Sequence, residues 1–151
     1  MGEIRIGKNF RANSGKSYNP IGGDTVLRLI CCNNAKLIIG NNVGISNSTL
    51  YCSKEITIED DVSIGGGCKI YDTDFHPIDP EMRILDNHDA IKRKSVLIKK
   101  GAFIGGHTII LKGVTIGINS VIGAGSVVSK SIPDSEIWAG NPARFIKKIN
   151  H

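Results

Sequence analysis

The sequence predicts an all-β chain of short strands wound into stacked triangular coils, and three observations carry this. From Ile98 to Val128 an aliphatic residue returns at every sixth position: Ile98, Ile104, Ile110, Ile116, Ile122 and Val128. Two residues before each stands a smaller or branched one, in order Val96, Ala102, Thr108, Val114, Ser120 and Ser126. Spacing two puts both members of a pair on one face of an extended strand. Three residues after the first five aliphatics stand Gly101, His107, Gly113, Asn119 and Gly125, and Gly and Asn tolerate a left-handed backbone. Each hexad is therefore an inward-facing strand followed by a sharp turn.

Taken in order, residues 1–24 form a lead-in, with Ile4 and Ile6 as a first hexad and Phe10 and Ala12 opening a second. Residues 13–24 are rich in Gly, Ser, Asn and Pro and read as a loop. First coils occupy 25–73. Strand is expected over 26–34 with no assignment of faces. Pairs then follow at Leu37/Ile39, Val43/Ile45, Ile56/Ile58, Val62/Ile64 and Cys68/Ile70, with turns at Asn42, Ser48, Asp61 and Gly67. One extra residue shifts the count near Tyr51 to Ser53. An inserted loop fills 74–95, second coils 96–130, and a C-terminal turn and helix 131–151.

A six-residue unit cannot bury its inward pair alone, so hexads must close into coils and coils must stack. Three hexads make an eighteen-residue triangular coil, which places Ile98 over Ile116, Ile104 over Ile122 and Ile110 over Val128. A buried aliphatic contributes roughly 1.5–3 kcal/mol against roughly 1–2 kcal/mol of backbone ordering per residue, and a prism this small is expected to gain burial by oligomerising and by covering its open end. Asn141 and Pro142 are read as N-cap and first residue of a closing helix over Ala143–Ile149, with Phe145, Ile146 and Ile149 inward.

A chain of 151 residues with 40% apolar and 22% charged side chains accommodates one domain with a real core. Eighteen glycines against four Phe and three Tyr suit a repeat built on turns. Cys31 and Cys32 are adjacent, Cys52 and Cys68 fall near repeat positions, and no CxxC pair occurs, so all four read as reduced core or turn residues. Without an apolar leader or a run near the ~18 residues of a membrane span, a cytoplasmic protein is expected, with no membrane insertion. The formal charge of +5 is scattered and not interleaved with aromatics, which points away from nucleic acid and towards a polyanionic small molecule.

The hexads, with Gly after the aliphatic in Ile64-Gly65, Ile104-Gly105, Ile116-Gly117 and Ile122-Gly123, resemble the hexapeptide-repeat acyltransferases. The stretches IYDTDFHPIDPEMR and GVTIGINSVIGAGSVVSKSIPDSEIWAGNPAR, with the basic C-terminus, resemble the branch of maltose and galactoside O-acetyltransferases and of sugar O-acetyltransferases of polysaccharide synthesis. The resemblance implies a left-handed parallel β-helix, against the general right-handed crossover rule. It also implies a homotrimer with acetyl-CoA, the acyl donor, in a groove between neighbouring prisms, and no metal.

The rhythm breaks after Ile70, where the count predicts an inward pair at 74 and 76 and finds Asp74 and His76. Pro77, Pro80 and many charges up to Lys94 equally suit a chain that has left the prism. By resemblance TDFHPID carries the catalytic histidine. A group titrating near neutrality can take the proton of an attacking hydroxyl and return it to the departing thiolate. Asp74 would orient the imidazole or bind a sugar hydroxyl. Tyr71, Asp72, Asp79, Met82 and Arg83 are candidates for the acceptor pocket. The acceptor-holding asparagine of the maltose and galactoside enzymes falls by register on Ile45, beside Ser46 and Asn47, which favours a different glycan.

On the donor side, coenzyme A requires fixed cations and exposed amides. By motif match Gly106 and Ala124 would present backbone to the pantetheine arm, Ser129 and Lys130 would lie beside the nucleotide, and Arg144 and Lys147 would meet phosphates. Phe103 is expected to make a hydrophobic contact at the groove, and His107 reads as a turn residue at positive φ. An N-acetyltransferase of amino sugars or a xenobiotic acetyltransferase is the alternative. The γ-class carbonic anhydrases share the prism but bind zinc through three histidines, whereas His76, His88, His107 and the terminal His151 include no close pair. A non-catalytic β-helix would need neither TDFHPID nor the basic C-terminal set.

Overall fold

A computed structural model describes residues 1–19 and 25–150, so part of the expected 13–24 loop, and His151, lie outside the described residues. Three sheets form the faces of a prism. The first contains β1 (Glu3–Ile6), β4 (Lys36–Ile39), β7 (Glu55–Ile58), β10 (Val96–Ile98) and β13 (Thr115–Ile116). The second runs through β2 (Arg11–Asn13), β5 (Gly44–Ser46), β8 (Ser63–Ile64), β11 (Phe103–Ile104), β14 (Val121–Ile122), β16 (Glu136–Ala139) and β17 (Arg144–Lys148). The third holds β3 (Arg28–Cys31), β6 (Thr49–Cys52), β9 (Lys69–Tyr71), β12 (Ile109–Ile110) and β15 (Val127–Val128). Among the described residues no helix is long and apolar enough to cross a membrane.

Stacking follows the hexads. Ile98 pairs with Ile116, Ile104 with Ile122 and Ile110 with Val128, all in parallel register. These six side chains are fully buried, and Leu37, Ile39, Ile45, Leu50, Ile56, Ile58 and Ile70 continue the columns. The turn residues Gly101, His107, Gly113, Asn119 and Gly125 all have φ between +55° and +79°. Gly105 illustrates how close the stack is: a Cβ there would lie 2.5 Å from the Ala124 amide nitrogen.

The extra residue near Tyr51 is the net of two changes. Ile45 to Leu50 takes five positions and Leu50 to Ile58 takes eight, although each aliphatic stacks on a partner of the neighbouring coil. The short corner turns at Asn47 (φ +31°) instead of Ser48. Ser48 points inward: its single hydroxyl proton is shared between the Ser46 and Gly65 carbonyls at 2.6 and 2.9 Å, and its oxygen accepts from the Cys68 amide at 3.0 Å. The ambiguous 26–34 stretch is settled by β3 on β6, with Leu29 over Leu50 and Cys31 over Cys52. Ile4 and Ile6 pair with Leu37 and Ile39 but are 44% and 46% exposed, because β1 is the outermost strand of its sheet among the described residues.

The expected C-terminal helix is a strand. β17 pairs antiparallel with β16, Phe145 opposite Trp138, their rings 6.3 Å apart, after a turn containing a cis Asn141-Pro142 bond. A segment this short is a poor isolated helix, whereas pairing covers the open edge of β16. Trp138 packs partly buried against the core, so the closing element is a hairpin.

All four cysteines are free, Cys52 and Cys68 buried and Cys31 and Cys32 half-buried. Burial pushes the Cys52 and Cys68 thiols up, and the thiolate is the nucleophile. Iodoacetamide should therefore modify Cys31 and Cys32 well before Cys52 and Cys68 in the native protein, as read by mass spectrometry of digests. Equal labelling of all four would contradict this packing.

Candidate active site

The chain leaves the prism after β9. Asp72 is the last inward residue, fully buried, and its carboxylate accepts the amides of Ser53, Lys54 and Glu55 at 2.7, 2.6 and 2.7 Å. This anchors the long corner between β6 and β7, so Asp72 is removed from the acceptor candidates: both oxygens are occupied and no surface reaches solvent. Thr73 bridges Arg93, the Asp74 amide donates to the Lys92 carbonyl at 3.1 Å, and the Lys94 amide donates to that of Asp72 at 2.9 Å. The excursion thus opens and closes at one antiparallel neck.

Asp74 and His76 therefore do not occupy an inward column, and the next inward pair is Val96/Ile98. The count fails here because the corner becomes a loop, not because polar residues replace apolar ones in the wall. His76 is exposed. Its amide donates to the Asp74 carbonyl at 2.7 Å across Phe75, whose φ is +63°. A bulky residue at positive φ is strained. Phe75 is held there by its ring, which packs on Tyr51 at 4.8 Å and edge-on to Tyr71 at 5.0 Å. Burial also pushes the Tyr71 phenol up.

Other acceptor candidates shape the loop itself. Asp79 is the N-cap of α1 (Pro80–Ile84), accepting the Met82 amide at 3.0 Å. Arg83 donates to the carbonyls of Pro77 and Ile78 at 3.0 and 2.9 Å, and the Met82 sulfur accepts from Asn87 at 3.5 Å. A cavity of about 520 Å³ opens under the loop, walled by Cys32, Tyr51, Phe75, His88, Ile91 and Arg93. Ile45 is fully buried, so nothing at that position can hold an acceptor, whereas Ser46 beside it lines an outer cleft with Arg11 and Phe103.

The donor candidates fall into separate places. Gly106 and Ala124 stack at successive turns between the second and third sheets. There the amides of Gly65, Gly67, Gly105, His107, Gly123 and Gly125 all donate to backbone carbonyls, while those of Gly66, Gly106 and Ala124 donate to none among the described residues. Their stacking leaves a row of free donors along one edge of the prism. His107, at φ +59°, sits over Gly67 in this edge. Phe103 is 48% exposed on the adjoining face. Ser129 and Lys130 lie exposed at the next edge, after β15, and Arg144 and Lys147 are exposed on β17 at the closing end. Lys112, which no sequence motif marks, forms a 2.6 Å ion pair with Asp74. Only the stacking of two corners brings them together.

No family model matches the chain. It is 37% identical over 118 residues to the galactoside O-acetyltransferase of Lactococcus lactis, covering 74% of this chain and 55% of that enzyme. It is 30% identical, over an alignment of 164 positions including gaps, to the Escherichia coli K12 protein named for lipopolysaccharide-biosynthesis O-acetyl transfer, covering 99% of this chain and 74% of that one. The chain belongs to the hexapeptide-repeat acetyltransferases. A galactoside acetyltransferase solved in complex with coenzyme A superposes with a TM-score of 0.80 at 32% identity, covering 98% of this chain and 66% of that structure. The three-sheeted prism is accordingly the left-handed β-helix of this family. The chain spans a little over half the length of the galactoside enzyme from Lactococcus.

Proposed function

We propose that this hexapeptide-repeat protein transfers the acetyl group of acetyl-CoA to a hydroxyl of a sugar or glycan, with His76 as general base, within a homotrimer. The observation that carries the reading is His76: an exposed imidazole on a loop fixed at its neck by backbone hydrogen bonds and through Asp74 and Asp79, in a chain of this family. The acceptor oxygen attacks the thioester carbonyl carbon as His76 takes its proton. The C–S bond then breaks and the imidazolium returns the proton to the CoA thiolate. The free amides of Gly66, Gly106 and Ala124 are suited to the carbonyls and amides of the pantetheine arm. They lie on a different edge of the prism from His76, and a three-fold assembly joins the two by placing the loop of one protomer against the amide edge of the next.

A thiol-release assay with acetyl-CoA against neutral sugars, amino sugars and nucleotide-linked sugars tests this. Thiol release that depends on a sugar hydroxyl is expected. Release only with amines would move the reading to N-acetylation, and release with no acceptor in the panel, with no acetyl-CoA binding by calorimetry, would remove it. Lys130→Ala should raise the acetyl-CoA KM more than it lowers kcat. The reverse pattern would take Lys130 out of the donor site.

A further inference from the structure

We infer that the corner formed by Lys112 and Gly113 is the seat of the His76 loop, and that Lys112, acting through Asp74, is a positioning residue for His76; this rests on the reading of His76 as the base. The corner follows β12 and stacks directly against the neck of the excursion. It holds both legs. On the outgoing leg, Lys112 Nζ lies 2.6 Å from Asp74 Oδ1, with the two side chains only 22% and 19% exposed. On the return leg, the Gly113 amide donates to the Lys94 carbonyl at 3.1 Å. The approach is close: a Cβ on Gly113, at φ +79°, would stand 3.1 Å from Lys94 Cδ.

Among the described residues the Asp74 carboxylate has no other partner. Its Oδ2 is buried and bonded to nothing among the described residues, and of these residues only Lys112 holds the carboxylate in place. A carboxylate buried with neither oxygen paired is expensive. Without the ammonium group, Asp74 must turn out to water. Its backbone carries the next step, because the Asp74 carbonyl accepts the His76 amide at 2.7 Å across the left-handed Phe75. His76 stands exposed at the end of this three-residue turn, next to the Phe75 ring that is packed on Tyr51 and Tyr71. Rotation at Asp74 therefore re-aims the imidazole without touching the prism wall or the free amides of the donor edge.

Lys112→Met keeps the aliphatic stem and removes the charge. In the full chain it should lower kcat about tenfold or more, within the ~100-fold that a 1 Å misplacement costs, while acetyl-CoA KM and Tm stay near wild type. Lys112→Arg should recover most of the loss. Hydrogen exchange, which needs no acceptor, should quicken at the Asp74 and His76 amides in Lys112→Met and not at the core amides of β10 and β13. Wild-type kcat and unchanged exchange at those two amides would overturn the inference. So would a loss of turnover that Arg does not restore and that is matched by a fall in Tm. If His76→Ala turns over like wild type, the reading of His76 falls, and the exchange result still judges whether Lys112 holds the loop.

Discussion

His76→Ala should lose about 100- to 10,000-fold in acetyl transfer, the range that a positioned general base supplies. That corresponds to roughly 2.7–5.4 kcal/mol of barrier at about 1.36 kcal/mol per tenfold. The fold should survive, because His76 is exposed and its only described hydrogen bond is made by its backbone amide, which alanine retains. Thermal unfolding and oligomeric state should therefore match wild type while thiol release collapses. Acetyl-CoA affinity should change little, since the free amides of Gly66, Gly106 and Ala124 lie along another edge of the prism. Near-wild-type turnover in a folded His76→Ala protein would falsify the assignment of the base.

The second large effect is on stability. Asp72→Ala removes one buried carboxylate and leaves the amides of Ser53, Lys54 and Glu55 without their acceptor. Hydrogen bonds to a charged group contribute roughly 1.5–3 kcal/mol each, and a buried donor left unmet costs about 1–3 kcal/mol. Partial re-solvation of the corner lowers the sum, and a loss of about 3–5 kcal/mol is expected. At roughly 2–4 °C per kcal/mol for a chain of this size, Tm should fall by about 6–20 °C. Asp72→Asn should fall in between, since the amide keeps the shape but offers one acceptor oxygen in place of two. A Tm within about 2 °C of wild type for Asp72→Ala would show that the corner finds other acceptors. The contrast with His76→Ala separates the two residues: one change spares the fold and removes chemistry, the other removes the anchor beneath the loop.

Several features are legible in the sequence because their causes lie within a few residues. The alternation that buries Ile98, Ile104 and Ile110 is a property of the extended backbone, and the positive φ values at Gly101, His107 and Asn119 belong to the sharp turn that ends each short strand. The closing helix is a misreading because Asn141-Pro142 is an adequate local start signal, and the competing partner, the edge of β16, is visible only once the coils are stacked. Counting by six also misplaces Asp74 and His76, since periodicity says where an inward slot would fall if the chain remained in the wall. Asp72 looks like a sugar ligand by its neighbours in sequence, and three amides from the preceding coil make it an anchor.

The sequence by itself determined the repeat, the inward columns, the left-handed turns and the loop that carries His76, because strand pleat and turn sterics act over fewer than six residues. Only the tertiary structure decided which carboxylate anchors and which is held by Lys112, which amides stay free, and that the chain ends in a strand. Each of these depends on a partner one coil or more away, and the cost of leaving a buried polar group or a sheet edge unpaired, not any local preference, selects it.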